Sequence, residues 1–135
     1  MTDGYVTINA LLNDGYCCAT ALAAIGLREK GSANPELLDA MRSLCGGLGS
    51  GLLCGALSGA ACMMNLLDPA SKDNGAVGEL ASWFADVYGT RYGGINCRDI
   101  TGGKLPSAAV CRNLIAEVYA KAKEILTENG YIFNE

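Results

Sequence analysis

SLCGGLGSGLLCGALSGAACMMNLL, residues 43–67, carries no charged side chain over a length that suffices to cross a bilayer. Two readings compete: a membrane span, or a loop followed by the central helix of a bundle. Glycines interleaved with Ser, Asn and Cys dilute the hydrophobicity, and the basic flanks that anchor a span are sparse. Gly46, Gly47 and Gly49 cluster as loop glycines do, where the chain needs backbone conformations that side chains disfavour. The segment is therefore expected to be a loop and then a shorter helix, with a membrane span disfavoured. Gly51, Gly55 and Gly59 recur every fourth residue, which on a helix aligns three missing side chains and lets a second backbone approach closely. That face would serve packing within the chain or a homodimer.

On either side the pattern is helical. Upstream, CCATALAAIGLR from Cys17 to Arg28 is rich in helix formers, and Ala19, Ala21, Ala23 and Ala24 would admit a close neighbour. The chain breaks at Gly31 and restarts where Asn34 can cap, Pro35 suits a first turn and Glu36 favours the helix dipole. Leu37, Leu38, Met41 and Leu44 supply the apolar stripe of that next element. Downstream, Asp68-Pro69 opens a polar loop, and GELASWFADVYGTRY places Leu80, Phe84 and Val87 on one face with Trp83 and Tyr88 beside them. Gly93-Gly94 ends it, CRDITGGKLP follows, and Pro106-Ser107 announces a last helix to about Glu128. Cys111, Ile115, Val118, Ala122 and Ile125 form its buried stripe, and Glu117, Lys121, Lys123, Glu124 and Glu128 its solvated face. No internal repeat or low-complexity linker interrupts residues 1–135. The expected architecture is one all-α domain, a bundle of about five helices with a glycine-rich central one.

Composition narrows the chemistry. Half the residues are hydrophobic but 7% are aromatic, a balance that suits close-packed helices better than strands. With a net charge of -4 and ten basic residues in no patch, the chain has no electrostatic footprint for nucleic acid or an anionic bilayer. The absence of histidine removes catalytic triads with an imidazole base, His-ligated zinc and CxxCH haem attachment. The glycines at 46–51 spell neither a dinucleotide fingerprint nor a P-loop with its Lys. MTDGYVTINALLNDGY lacks the basic and unbroken apolar parts of a secretory signal, so the expected compartment is the cytoplasm, where thiols stay reduced. Seven cysteines are an odd number, which fits poorly with a purely structural disulfide scaffold.

A cysteine on an apolar helical face is most often a small buried hydrophobe, and Cys45 and Cys62 are read that way. Cys54 opens CGALSG, where a helix N-terminus would lower its pKa. Cys97 follows a Gly-Gly turn and Cys111 follows Pro106, so both are expected at element ends, able to meet across the short connection. Cys17 and Cys18 are adjacent; on a helix they would point about 100° apart, so only one of the two is expected to face the site. With no CxxC and no ferredoxin or zinc-ribbon spacing, any cysteine site must be assembled in three dimensions.

These residues resemble the CGAxxG (C_GCAxxG_C_C) redox-active proteins, small bacterial and archaeal domains named for a C...CGAxxG...C...C arrangement. The resemblance covers most of the chain: GYCCATAL matches the first-cysteine segment, CGGLGSG the glycine-rich approach, CGALSG the central motif, CRDITG the third element and VCRNLIAEV the fourth. It favours Cys18 over Cys17 as the first cysteine, because Ala19 and Ala21 then fall at the family's small positions. Cys17, Cys45 and Cys62 are extra. The resemblance implies a redox role for Cys18, Cys54, Cys97 and Cys111. It also points to an iron–sulfur centre, because related domains are joined to haem-bearing segments in split-Soret-type cytochromes, where such a centre is associated with the cysteine-bearing part. Four converging thiolates are a ligand set that such clusters and structural zinc both accept. The first expectation is electron transfer through an iron–sulfur cluster, 2Fe–2S in preference, with a redox partner protein. The second is a metal-free thiol/disulfide oxidoreductase or redox sensor, with the same four cysteines as catalytic thiols. The third is a helical interaction module with structural cysteines or zinc.

Overall fold

The computed structural model describes residues 2–102 and 108–134. Among these described residues seven α-helices run in order: α1 Thr2–Asn13, α2 Cys18–Lys30, α3 Pro35–Met41, α4 Gly55–Leu67, α5 Ala76–Tyr92, α6 Cys97–Thr101 and α7 Ala108–Glu128. Among the described residues there is no strand, and the all-α expectation holds. The count exceeds five because α1 and the short α6 are helices in their own right. The expected start signal Pro106-Ser107 lies outside the described residues.

Helix α4 sits at the centre, with Ala56, Ala60, Met63 and Met64 fully buried and Leu57 and Leu67 nearly so. It lies against α2, whose Ala19, Ala21 and Leu22 are equally buried. Small residues on both helices set this approach: a Cβ placed on Gly59 would fall 2.7 Å from Ala19 Cα and 2.8 Å from its carbonyl oxygen. The uncharged stretch 43–67 is thus a loop and a core helix. No single described helix is long and apolar enough to cross a membrane, and α1 with α2 qualifies only as a pair bent by 118°. Gly51 does not share the glycine face with Gly55 and Gly59, since it precedes the helix. It is left-handed at φ 74°, and a Cβ there would approach Arg98.

The punctuation residues act as expected. Gly31 takes the left-handed conformation, and Ser32 N–H reaches back to the Leu27 carbonyl at 2.9 Å, which closes α2. Asn34 Oδ1 accepts from Leu37 N–H at 3.1 Å with Pro35 in the first turn of α3. Leu37, Leu38 and Leu44 then pack on Ala19, Ala23 and Met41. In α5 the buried line is Leu80, Phe84 and Tyr88, while Trp83 and Val87 are half-buried. In α7, Ile115, Val118, Ala122 and Ile125 are buried as the stripe predicts. On the solvated face Glu117 is partly exposed and accepts a 2.6 Å hydrogen bond from Tyr88 Oη, with Arg91 at 3.3 Å. Burial, then the Glu117 carboxylate, raises the Tyr88 pKa. Helix α1 inserts Ile8 and Leu11 into the core. It is tied to α7 by Arg112, which donates to the Asn9 side chain and carbonyl and, at 3.0 Å, to Asn13 Oδ1.

Candidate functional site

Cys18 is the first residue of α2, Cys54 caps the N-terminus of α4, Cys97 is the first residue of α6, and Cys111 lies near the start of α7. Four elements thus present cysteines close to their N-termini. A short antiparallel bridge brings two of them together: Leu53 pairs with Asn96, Cys54 N–H donates to the Ile95 carbonyl at 3.3 Å, and Cys97 N–H to the Leu52 carbonyl at 2.6 Å. The preceding glycine loop supplies the reversal this pairing needs. Gly46, Gly47, Leu48 and Gly49 are consecutive left-handed residues, and Leu48, at φ 63° and exposed, is the one non-glycine residue with positive φ among the described residues. Such a conformation costs a side-chain-bearing residue roughly 1–2 kcal/mol.

All four cysteines line one cavity of about 250 Å³, together with Ile100, Leu114 and Ile115. The expected convergence of Cys97 and Cys111 is part of it. Gly55 in the CGALSG motif makes room for the Cys18 sulfur, since a Cβ there would fall 2.5 Å from Cys18 Sγ and 3.1 Å from the Leu44 carbonyl oxygen. The motif thereby acquires a physical reading: Cys54 caps, Gly55 seats a neighbouring sulfur, Ala56 is buried, and Gly59 seats the backbone of α2.

The electrostatics correct one expectation. The Cys54 pKa is not lowered; burial pushes it up to about 12. The Ala56 and Leu57 amides favour its thiolate, but neither forms a cap hydrogen bond, and the neighbouring Cys18 and Cys97 sulfurs oppose ionisation. Burial also raises Cys18, against the backbone amides of Gly46, Ala19 and Gly55 that favour its anion. Cys111 is pushed up to about 11 by burial, then by Cys18 and Cys97. Cys97 is raised by burial and by Cys18. The mutual repulsions run through all four groups, as they do for sulfurs that share a site. Without a metal these are neutral thiols at physiological pH. Among the described residues, no three His, Cys, Asp or Glu side chains converge closely enough to hold one metal ion.

The remaining cysteines also depart from expectation. Cys45 is not a core hydrophobe: it forms a disulfide with Cys17, with Cα atoms 6.1 Å apart. Cys62 is a free, exposed thiol. Of the adjacent pair, Cys18 is the free thiol and Cys17 the bonded one, although both line the cavity. Sequence reasoning had no signal for this pairing, which joins residues 28 apart because α2, the turn at Gly31 and α3 fold the chain back on itself. Arg112 and Thr101 also line the cavity without having been singled out.

A family model described as "Putative redox-active protein (C_GCAxxG_C_C)" matches residues 16–125. The chain belongs to this family. The matched span of this C_GCAxxG_C_C member contains every one of its cysteines, including the three beyond the four-cysteine pattern. No curated protein and no solved structure matches the chain.

Proposed function

We propose that the chain is an electron carrier in which Cys18, Cys54, Cys97 and Cys111 hold an iron–sulfur cluster, 2Fe–2S in preference. The observation that carries this reading is the placement of four free cysteines from four elements around one cavity. Its volume of about 250 Å³ leaves room for a group larger than one ion. The donor set fits: thiolates are the ligands such clusters take, and the chain has no imidazole to compete. A single zinc ion draws its four sulfurs onto one centre, and the wider arrangement here counts against it. When bound, the cluster supplies a one-electron couple whose potential follows net charge, hydrogen bonds to sulfur and exposure.

The chain's own residues set those terms. The Gly46, Ala19 and Gly55 amides offer positive charge to the Cys18 sulfur, and those of Ala56 and Leu57 to Cys54. Ile100, Leu114 and Ile115 exclude water from the inner wall. Metal-free exchange by these four thiols fits less well, because reactive cysteines have lowered pKa values in partly exposed surroundings and these are raised by burial. A structural role alone would leave Cys54→Ser with altered stability and no other change. The test is iron, sulfide and zinc content with a visible spectrum on protein purified without oxygen. Near-stoichiometric iron and sulfide are expected; metal-free protein with a reversibly oxidised pair among the four would sink the proposal.

A further inference from the structure

Cys17 and Cys45 lie outside the four-thiol set, and their disulfide stands in the wall between two spaces. On its inner side is the thiol cavity. On its outer side is an open groove lined by Asp14, Tyr16, Thr20, Asp39 and Arg42, and both cysteines line this groove as well. Both residues are half-buried, so neither is sealed in the core. We propose that Cys17–Cys45 is a second redox centre, a two-electron disulfide/dithiol couple that exchanges with an external thiol entering through the outer groove.

The two sulfurs are not equivalent. Cys17 caps α2, a thirteen-residue helix, and its Sγ lies 3.3 Å from the Thr20 hydroxyl. That hydroxyl accepts from Cys17 N–H at 2.9 Å and can turn its proton from the Cys17 carbonyl, also 3.3 Å away, to the sulfur. Helix N-terminus and hydroxyl together accommodate negative charge on Cys17 as it departs. Cys45 has extended backbone between the 3-10 turn Arg42–Leu44 and the left-handed turns of the glycine loop, and does not cap a regular α-helix as Cys17 does. The external thiolate therefore attacks Cys45 Sγ, the Cys17–Cys45 bond breaks, and Cys17 leaves as a thiolate that takes up a proton. A second external thiol attacks the mixed disulfide on its external sulfur and departs as the external disulfide, and Cys45 is released and protonated. Two external thiols have then given two electrons and two protons to the couple.

The couple is tested on the full chain with reduced glutathione at neutral pH, followed by alkylation and peptide mapping by mass. The expected starting material has Cys17 and Cys45 cross-linked; the expected intermediate has glutathione on Cys45, a free Cys17, and none on Cys18, Cys54, Cys97 or Cys111. Thr20→Val should slow the exchange about three- to tenfold, with Thr20→Ser restoring it. Cys62→Ser, at an exposed thiol that lines neither the cavity nor the groove, should leave the exchange rate unchanged, and iron is measured on the same samples, so that loss of iron and loss of exchange are separate results. Glutathione on Cys17 or on the cavity thiols, reduction only after unfolding in urea, or free Cys17 and Cys45 in air-exposed protein would each overturn it.

Discussion

At the scale of single residues, Gly55 and Gly78 show how differently two helical glycines behave. Gly78, exposed in the first turn of α5, has nothing within 4 Å of an added Cβ, so Gly78→Ala should raise stability by about 0.5–1 kcal/mol. Gly55→Ala pushes a methyl group into Cys18 Sγ and should cost about 1–3 kcal/mol while displacing that sulfur from the cavity. Denaturant unfolding of the two variants beside the parent checks both signs. Cys54 adds a pH dependence to the reduced, metal-free protein. Its folded pKa of about 12 lies above the ordinary value of 9.0, so its contribution is complete below pH 9 and is lost as pH rises from there through 12. The unfolded chain releases the proton first over that window. Relative to Cys54→Ala, the parent should lose on the order of 2 kcal/mol between pH 8 and pH 11, measured by urea titration at each pH. A difference that stays flat across that range would remove burial as the cause.

At the scale of elements, the glycine loop is the part on which the site depends most. Gly47 is left-handed at φ 62°, and a Cβ on it would run into the Leu52 backbone. Gly47→Ala should therefore cost about 2 kcal/mol or more and loosen the Leu53–Asn96 bridge. Native-state alkylation should then reach Cys54 and Cys97 faster than in the parent, whereas unchanged rates would mean the loop does not hold them. The elements that could be read from the sequence are those with local signals: Asn34-Pro35 at the start of α3, Gly31 at the end of α2, and the stripe from Ile115 to Ile125 in α7. Helix α1 was missed because it buries few apolar side chains and depends on a distant partner, Arg112, that no local pattern announces. Gly51 was placed on the glycine face by its spacing alone, which is blind to the left-handed turns that intervene.

Across the whole molecule, the cysteine cavity is a consequence of helix starts. The bundle gathers the N-terminal ends of α2, α4 and α6 and the first turns of α7 at one place, and each carries a thiol there. The element-end positions of Cys54, Cys97 and Cys111 were local features of the sequence, whereas the choice of Cys18 over Cys17 and the grouping of the four came from the family resemblance. The direction of their pKa shifts was not legible, since burial is a property of the assembled fold and here outweighs the helix ends. The Cys17–Cys45 pairing was equally hidden.

The central claim is that these four thiols, and not the other three, form one metal-holding set. The most direct measurement is the iron-to-protein ratio of seven anaerobically purified variants, each with one cysteine changed to serine. The account predicts that Cys18→Ser, Cys54→Ser, Cys97→Ser and Cys111→Ser lose most of the iron while Cys17→Ser, Cys45→Ser and Cys62→Ser retain it. Equal iron in all seven, or loss confined to the Cys17 and Cys45 variants, would contradict it.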